Sequence, residues 1–300
     1  MKILISVATE FMEPMDWPGE ILEPAQGNDA DVWIVDPEHP ARSWHFDLMP
    51  NLKVLLTAST GTNHIDLEDA CRRGIQVFSL LDDREGLEKI RASGEFTFFL
   101  ILAALRRLQR LTFSIYSKGW FRQEHAMRGN ELYGKAVGII GMGRNGRNVF
   151  KWCSAFDVDR FYLYDPPAGM DHSLEEVFQK SDIVVITCAL TEQTIDMIGK
   201  NHVQSMKIGA CVINTSRGEI VRESELVEAL LARPDIIYAT DVLSGMTDGT
   251  HLNSRLFDLN NVIITPHVAG LTVESNTKAL AICNKLLWEW YRGSYTQESL

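Results

Sequence analysis

One glycine turn, set between two apolar runs, constrains this 300-residue chain more than any other feature. Gly141, Gly143 and Gly146 form a G-x-G-x-x-G in the segment Gly141-Met142-Gly143-Arg144-Asn145-Gly146. The run before it, Lys135 to Ile140 (KAVGII), has the character of a buried strand, and Arg147 to Phe156 that of the helix which follows. A second strand, Arg160 to Tyr164, ends in Asp165, nineteen residues after Gly146. Strand, glycine turn, helix, strand, carboxylate is the order of a dinucleotide site. The first glycine permits a tight turn, the second lets the backbone approach a pyrophosphate, and the third lets the helix pack close to its strand. Arg144 and Asn145 lie inside that turn, at the helix N-terminus, where free N–H groups and the helix dipole favour phosphate. Asp165 suits the ribose hydroxyls of NAD. The residues after it, Pro166, Pro167 and Ala168, supply no cation for a 2′-phosphate, so NAD(H) is expected over NADP(H). The competing reading is a glycine-rich turn in a plain α/β domain.

Apolar runs alternate with helical patterns along the whole chain, which predicts parallel sheets covered by helices on both faces. In the first third the strands are expected at Ile3–Val7, Val32–Val35, Val54–Ala58 and Gln76–Leu80, with a helix over Ile65–Arg73. A longer helix is expected over Arg91 to Leu111, apolar nearly all round and therefore buried. Six strands follow, Val137–Gly141, Phe161–Tyr164, Ile183–Cys188, Cys211–Thr215, Ile236–Thr240 and Val262–Thr265, and then an amphipathic helix over Thr272–Tyr291. Three hundred residues suit two domains. The net charge of −11 argues against nucleic acid or an anionic membrane as partner. The basic group Arg106, Arg107 and Arg110 reads as a solvated face or a subunit contact. No apolar run reaches the length of a membrane span, and MKILISVATEF reads as a first strand and not as a secretory signal. Five cysteines, odd in number and without a C-x-x-C, read as reduced thiols of a cytoplasmic protein with no metal site.

Three segments at the ends of the later strands carry chemistry. Ile213-Asn214-Thr215-Ser216-Arg217-Gly218 places an arginine where open α/β sheets bind ligands. Its planar fork suits a carboxylate, although a surface ion pair accounts for it equally well. Ala239-Thr240-Asp241-Val242-Leu243 ends another strand in a carboxylate. Thr265-Pro266-His267-Val268-Ala269-Gly270 sets a histidine after a strand and a proline. A lone histidine of this kind is as often structural as catalytic.

Together these segments resemble the D-isomer-specific 2-hydroxyacid dehydrogenases, the family of phosphoglycerate, glycerate and formate dehydrogenases. The likeness spans nearly the whole chain: Leu52–Val77, Gly119–Trp120, Leu132–Gly146, Ser181–Thr194, the Arg217 and Asp241 segments, and Thr265–Gly270. Asp241 falls twenty-four residues after Arg217, as the family spacing requires. The resemblance implies two doubly wound parallel-sheet domains, a Rossmann NAD-binding domain over 99–271 inserted in a flavodoxin-like substrate domain made of 1–98 and 272–300. It implies a homodimer, NAD as cofactor, and a small 2-ketoacid or D-2-hydroxyacid as substrate. By carry-over, Thr60 and Gly61 offer backbone N–H groups to the substrate carboxylate, Arg217 grips that carboxylate and polarises the keto oxygen, His267 is the acid/base, and Asp241 holds the nicotinamide carboxamide. Hydride comes from NADH.

The chain also departs from the family. A glutamate is usual five residues after the aspartate, where it bonds the catalytic histidine; here that position is Met246, followed by Thr247 in place of proline. A thioether is a weak acceptor without charge. Asp248 is the nearest carboxylate able to substitute, and Ser244 can orient but not charge-stabilise. Asn145 replaces an aliphatic residue, Thr187-Cys188-Ala189 replaces the usual H-x-P, and Leu81–Arg91 is a long polar loop. Two functions therefore compete: a working dehydrogenase, or a catalytically weak NAD(H)-binding protein acting through interaction. The substrate's identity is not legible, although His39, Arg42, Trp44 and His45 in Pro37–Phe46 are expected near its side chain.

Overall fold

A computed structural model describes residues 1–7, 15–120, 124–246 and 250–294. The chain forms two compact units, 1–90 with 271–300, and 91–270.

The first unit is built on five parallel strands, β1 (Lys2–Ile5), β2 (Glu20–Ile21), β3 (Val32–Val35), β4 (Val54–Thr57) and β5 (Gln76–Phe78), in the order β2-β1-β3-β4-β5. That is the flavodoxin-like order. Alternate residues of a strand face opposite sides of the sheet, and here both sides are apolar. Val32, Ile34, Val54 and Leu56 enter one hydrophobic cluster, while Trp33, Val35 and Leu55 enter another. Three short helices belong to this unit, α1 (Ser43–Leu48), α2 (Leu67–Arg72) and α3 (Arg84–Glu88). The last contradicts the expected polar loop over Leu81–Arg91. Ser79 accepts from the Leu81 N–H and Asp83 from the Gly86 N–H, so two N-caps in series wind the segment into a 3-10 turn and then α3.

The second unit begins with helices α4 (Ala92–Leu105), α5 (Leu108–Lys118) and α6 (Glu124–Met127). Its sheet holds β6 (Ala136–Ile140), β7 (Arg160–Asp165), β8 (Met170–Asp171), β9 (Ile183–Ile186), β10 (Cys211–Asn214), β11 (Ile237–Thr240) and β12 (Val262–Ile264), in the order β12-β11-β10-β9-β6-β7-β8. All pairings are parallel except β7 with β8. Counted within the unit this is the nucleotide-binding order 3-2-1-4-5-6 with one further strand beyond the sixth. The two-residue β8 at the edge was not anticipated. Helices α7 (Arg144–Ala155), α8 (Leu174–Lys180), α9 (Lys200–Gln204) and α10 (Glu223–Ala232) connect the strands. The chain then returns to the first unit as α11 (Val273–Tyr291), whose Leu280, Cys283, Leu286 and Leu287 are buried there with Val32 and Val54.

The apolar helix expected over Arg91–Leu111 is two helices. Arg107 takes a left-handed backbone, φ 51°. The Asn130 N–H donates to the Leu105 carbonyl at 2.8 Å, and Gly129 packs so close that a Cβ there would lie 2.7 Å from the same oxygen. The chain returning at 129–130 therefore seals the C-terminus of α4, a stop that local sequence does not announce. The whole of α4 lies in the second unit, so a boundary between 98 and 99 would divide it; the division falls between 90 and 91.

Candidate active site

Residues of the second unit converge at the carboxyl ends of β6, β7, β9, β10, β11 and β12. At the end of β6, Gly141 has φ 94°, and a Cβ there would lie 2.4 Å from the backbone of Cys188. A Cβ on Gly146 would lie 2.1 Å from the Gly141 carbonyl oxygen. Both glycines are demanded by backbone packing. Gly143 is not: nothing stands within 4 Å of its Cβ position, although it is the N-cap of α7. The space it leaves is external, beside a helix start whose first N–H groups lack intrahelical acceptors. Asn145 adds a buried side-chain oxygen without a hydrogen-bond partner. An open glycine at a helix N-terminus fits a dinucleotide pyrophosphate; the Asn145 oxygen, an acceptor, needs a donor that a pyrophosphate does not carry. Thr187, which stands in place of the usual histidine segment, donates its hydroxyl to the Gly141 carbonyl at 2.6 Å and braces the turn. Among the described residues Asp165 accepts one hydrogen bond, from the Met142 N–H at 2.6 Å through Oδ2. Burial pushes the Cys188 thiol up to about 11, so it stays protonated.

Arg217 follows β10 and is half-buried. Its Nη1 donates to the Ser216 carbonyl at 2.7 Å, and among the described residues it forms no ion pair. Desolvation lowers its pKa, opposed by Glu219. Gly218 follows because the backbone presses on the next loop; a Cβ there would lie 2.1 Å from the Leu243 carbonyl carbon.

Asp241 is 1% exposed and holds the histidine loop from within. Its Oδ1 accepts from the Thr265 hydroxyl at 2.5 Å and the Val268 N–H at 3.0 Å, and its Oδ2 from the Ala269 N–H at 2.8 Å. These bonds grip the loop on both sides of His267, whose φ is 57°. A left-handed non-glycine residue costs about 1–2 kcal/mol, so the loop is over-determined around the imidazole. The ring itself is solvent-accessible, but its neighbourhood is crowded. Desolvation lowers its pKa below the ordinary value, Arg217 lowers it further, and Asp241 opposes both.

Met246 takes no part in this arrangement. Its sulfur accepts from the Leu243 N–H at 3.4 Å, and its side chain packs on the cluster that contains Leu243, Leu256 and Tyr238. Thr247 and Asp248 lie outside the described residues. Ser244 is placed against Gly218 and not, as an orienting group would be, in a hydrogen bond to the imidazole. Among the described residues no group of His, Cys, Asp and Glu is placed to hold a metal.

In the first unit, the Thr60 and Gly61 N–H groups donate to no protein acceptor among the described residues. Their loop is braced from below. Thr57 Oγ1 is 2.9 Å from Nε2 of the buried His64 and 3.0 Å from Ser59 Oγ, which donates to the Gly61 carbonyl at 2.6 Å. Arg42 reaches the Asn63 carbonyl at 3.5 Å. His45 stacks on Trp44 with ring centroids 3.4 Å apart, and its Nδ1 accepts from the Arg42 N–H. His39 pairs with Asp36.

Comparison with known proteins settles the family. Residues 98–269 match the NAD binding domain of the D-isomer specific 2-hydroxyacid dehydrogenases, and residues 16–82 match their catalytic domain. The chain belongs to this family. It is 34% identical to a glyoxylate reductase of Thermofilum pendens over 89% of this chain and 80% of that protein. It is 29% identical to a hydroxypyruvate reductase of Thermotoga maritima, over 76% and 74% respectively. An NAD-dependent formate dehydrogenase from Staphylococcus aureus, solved in complex with NAD, shares the fold with a TM-score of 0.77 over 99% of this chain and 98% of that one, at 24% identity.

As a member of the D-2-hydroxyacid dehydrogenases the chain is an NAD-dependent oxidoreductase that reduces 2-ketoacids to D-2-hydroxyacids. The structure brings Arg217, Asp241 and His267 of this dehydrogenase together, and brings Gly141, Gly143, Arg144, Asn145, Gly146 and Asp165 into one cradle. Thr265, which secures Asp241, and Asn214, which lies under Arg217, were not singled out by sequence. Both are ordinary polar residues at strand ends. Their place, Asn214 three residues before Arg217 and Thr265 two before His267, is the signal that points to them.

Proposed function

We propose that this dehydrogenase acts on a small 2-ketoacid of the glyoxylate or hydroxypyruvate kind, with Arg217 as carboxylate ligand and His267 as acid/base. The observation that carries this is Arg217: a half-buried cation with no ion pair among the described residues. A desolvated guanidinium without a counter-charge is a prepared site for an anion, and its fork matches a carboxylate. His267 lies close enough to Arg217 and Asp241 to feel both charges. With the carboxylate on Arg217, the keto oxygen gains negative charge as it is reduced, and the imidazolium gives that oxygen its proton. NADH, when bound, supplies the hydride. The N–H groups of Thr60 and Gly61, uncommitted within their unit, are assigned to a substrate carboxylate.

Asp241 replaces the electrostatic part of the missing glutamate: it is the anion that acts on the imidazole, while Met246 serves the core. A carboxylate has about four acceptor positions, and three are filled, which leaves one on Oδ2 for the nicotinamide carboxamide. Gly141, Gly143, Arg144, Asn145 and Gly146 hold the pyrophosphate, and Asp165 keeps acceptor capacity for ribose hydroxyls. Phe99, Phe113, Ile115 and Tyr116 are exposed on α4 and α5 and support a homodimer through that face; sedimentation as a monomer at micromolar concentration contradicts it. The cysteines are free thiols, which supports a reducing, cytoplasmic location.

The test of function is NADH oxidation with glyoxylate, hydroxypyruvate and pyruvate, run beside NADH binding by fluorescence, for the parent and Arg217→Lys. Turnover that collapses in the variant while NADH affinity holds supports the assignment. Binding without turnover on every ketoacid by the parent overturns it.

A further inference from the structure

The backbone that presents Arg217 is clamped by a buried polar network that neither the motif nor the assignment of Arg217 requires. Asn214 is fully buried, 0% exposed, at the last position of β10. Its Oδ1 accepts from the Ser216 N–H at 3.0 Å, and its Nδ2 donates to the Arg217 carbonyl at 3.0 Å. One carboxamide therefore holds the peptide unit before Ser216 and the one after Arg217, which carries the Arg217 carbonyl. The second Nδ2 proton points to the hydroxyl of Tyr238, 3.4 Å away, at 2% exposure on β11. The Asn214 carbonyl in turn accepts from the Thr240 hydroxyl at 3.1 Å and from the Asp241 N–H at 3.0 Å. The Ser216 N–H, which only donates, and the Arg217 carbonyl, which only accepts, fix which way the carboxamide is turned, and the Tyr238 hydroxyl accepts the remaining Nδ2 proton.

We propose that Asn214 is a positioning residue for Arg217, and that the Tyr238 hydroxyl supports it by accepting its remaining proton, so that substrate affinity depends on two buried groups that never touch the substrate. The proposal rests on the reading of Arg217 as carboxylate ligand. Its physical basis is that a buried amide satisfied at three of its four positions has one low-energy orientation. Losing a donor beneath the loop leaves the Arg217 carbonyl unsatisfied and free to turn toward another partner. Displacing a guanidinium by about 1 Å is enough to lose a bidentate contact.

Three variants of the full chain test this, with the best ketoacid of the panel as substrate and oxamate as a competitive probe. Asn214→Ala is expected to raise KM and the oxamate inhibition constant by about ten- to a hundredfold, with NADH affinity within twofold of the parent. Tyr238→Phe, which removes only the hydroxyl, is expected to raise both by roughly two- to fivefold. Asn214→Asp has the same shape, but presents an acceptor to the Arg217 carbonyl until it is protonated. A buried carboxyl takes up its proton above the usual range, and the protonated form regains an O–H donor. The ratio of variant KM to parent KM is therefore expected to fall as pH is lowered from about 8 to about 5.5. Taking the ratio removes the dependence on His267 shared by both proteins. A merely structural asparagine has no reason to show that slope. A flat ratio, or a parent-like KM in Asn214→Ala, overturns the proposal, and the aspartate and phenylalanine variants still decide it if the alanine variant does not fold. Arg217→Lys is run in parallel. If it loses ketoacid affinity while the Asn214 variants do not, only the positioning claim fails. If it keeps ketoacid affinity, the reading of Arg217 itself fails.

Discussion

Asp165 ends β7 and Asp241 follows β11 in the same sheet, and each accepts a backbone N–H from a loop beside the candidate site. There the likeness ends. Asp165 takes a single N–H, from Met142, and is only half-buried. Asp241 takes two N–H groups and a hydroxyl, and is almost completely enclosed. The first keeps most of its acceptor positions for a ligand. The second spends most of its own on holding His267 in a strained backbone. The same side chain at the same kind of position can thus keep acceptor positions open or be tied into the histidine loop, and the number of protein donors around it decides which.

That contrast can be broken in several ways. The largest effect is expected at the residue Asp241 holds. His267→Gln should lower kcat/KM for reduction by about 10²- to 10⁴-fold, while NADH affinity stays near the parent value. A loss below tenfold means another acid supplies the proton, and the purpose assigned to the Asp241 loop is then wrong.

Cofactor choice belongs to the other aspartate. NADH should bind more tightly than NADPH by about ten- to a thousandfold, because Asp165 repels a 2′-phosphate and no cation follows it. Asp165→Asn should remove most of that preference and leave the pH dependence of turnover unchanged. Equal binding of the two cofactors by the parent would show that Asp165 does not face the ribose.

Asp241→Asn should behave in the opposite way. Reduction uses the protonated imidazole, and the pKa of His267 is already depressed by desolvation and by Arg217. In the parent, kcat/KM should therefore fall as pH rises through a value below about 6.5. Removing the Asp241 charge removes the one influence that raises this pKa, so the fall moves further toward acid, with a loss of roughly tenfold at neutral pH. One acceptor for the loop N–H groups is also lost, and stability should drop by about 1–3 kcal/mol in chemical denaturation. Should NADH affinity collapse while the pH profile stays in place, Asp241 serves the cofactor alone and its charge does not set the pKa of His267.

Met246→Glu is expected to do least. The sulfur is bonded to the Leu243 N–H and the side chain packs on the core of its own unit. A glutamate there should lower stability without moving the pH profile by more than about half a unit. An alkaline shift of a full unit or more would show that position 246 reaches the imidazole, and that the glutamate's place beside His267 has been kept.

Both sheets, with the exception of the short strands β2 and β8, were legible in the chain because a buried parallel strand is a run of apolar residues, and such runs need no tertiary context to be seen. The glycine turn was legible because packing demands glycine at 141 and 146, while the space beside 143 is open. The break at Arg107 was not, because it depends on residues 129–130 meeting the end of α4. The cap of Asp83 on Gly86 was visible in principle, yet the charged composition of Leu81–Arg91 suggested a loop.

By itself the sequence determined two units, the nucleotide-binding order of elements, an acidic residue at the end of the strand after the glycine turn, and the loss of a carboxylate at position 246. All of these follow from local pattern or from the identity of one residue. Only the tertiary structure decided what Asp241 and Asn214 do. Each is a polar side chain closing a strand, and its role depends on which N–H, C=O and hydroxyl groups the neighbouring strands bring within 3 Å. Those partners come from segments up to 28 residues away in the chain, and no local pattern encodes them, because burial makes the choice of partner a property of the packed sheet.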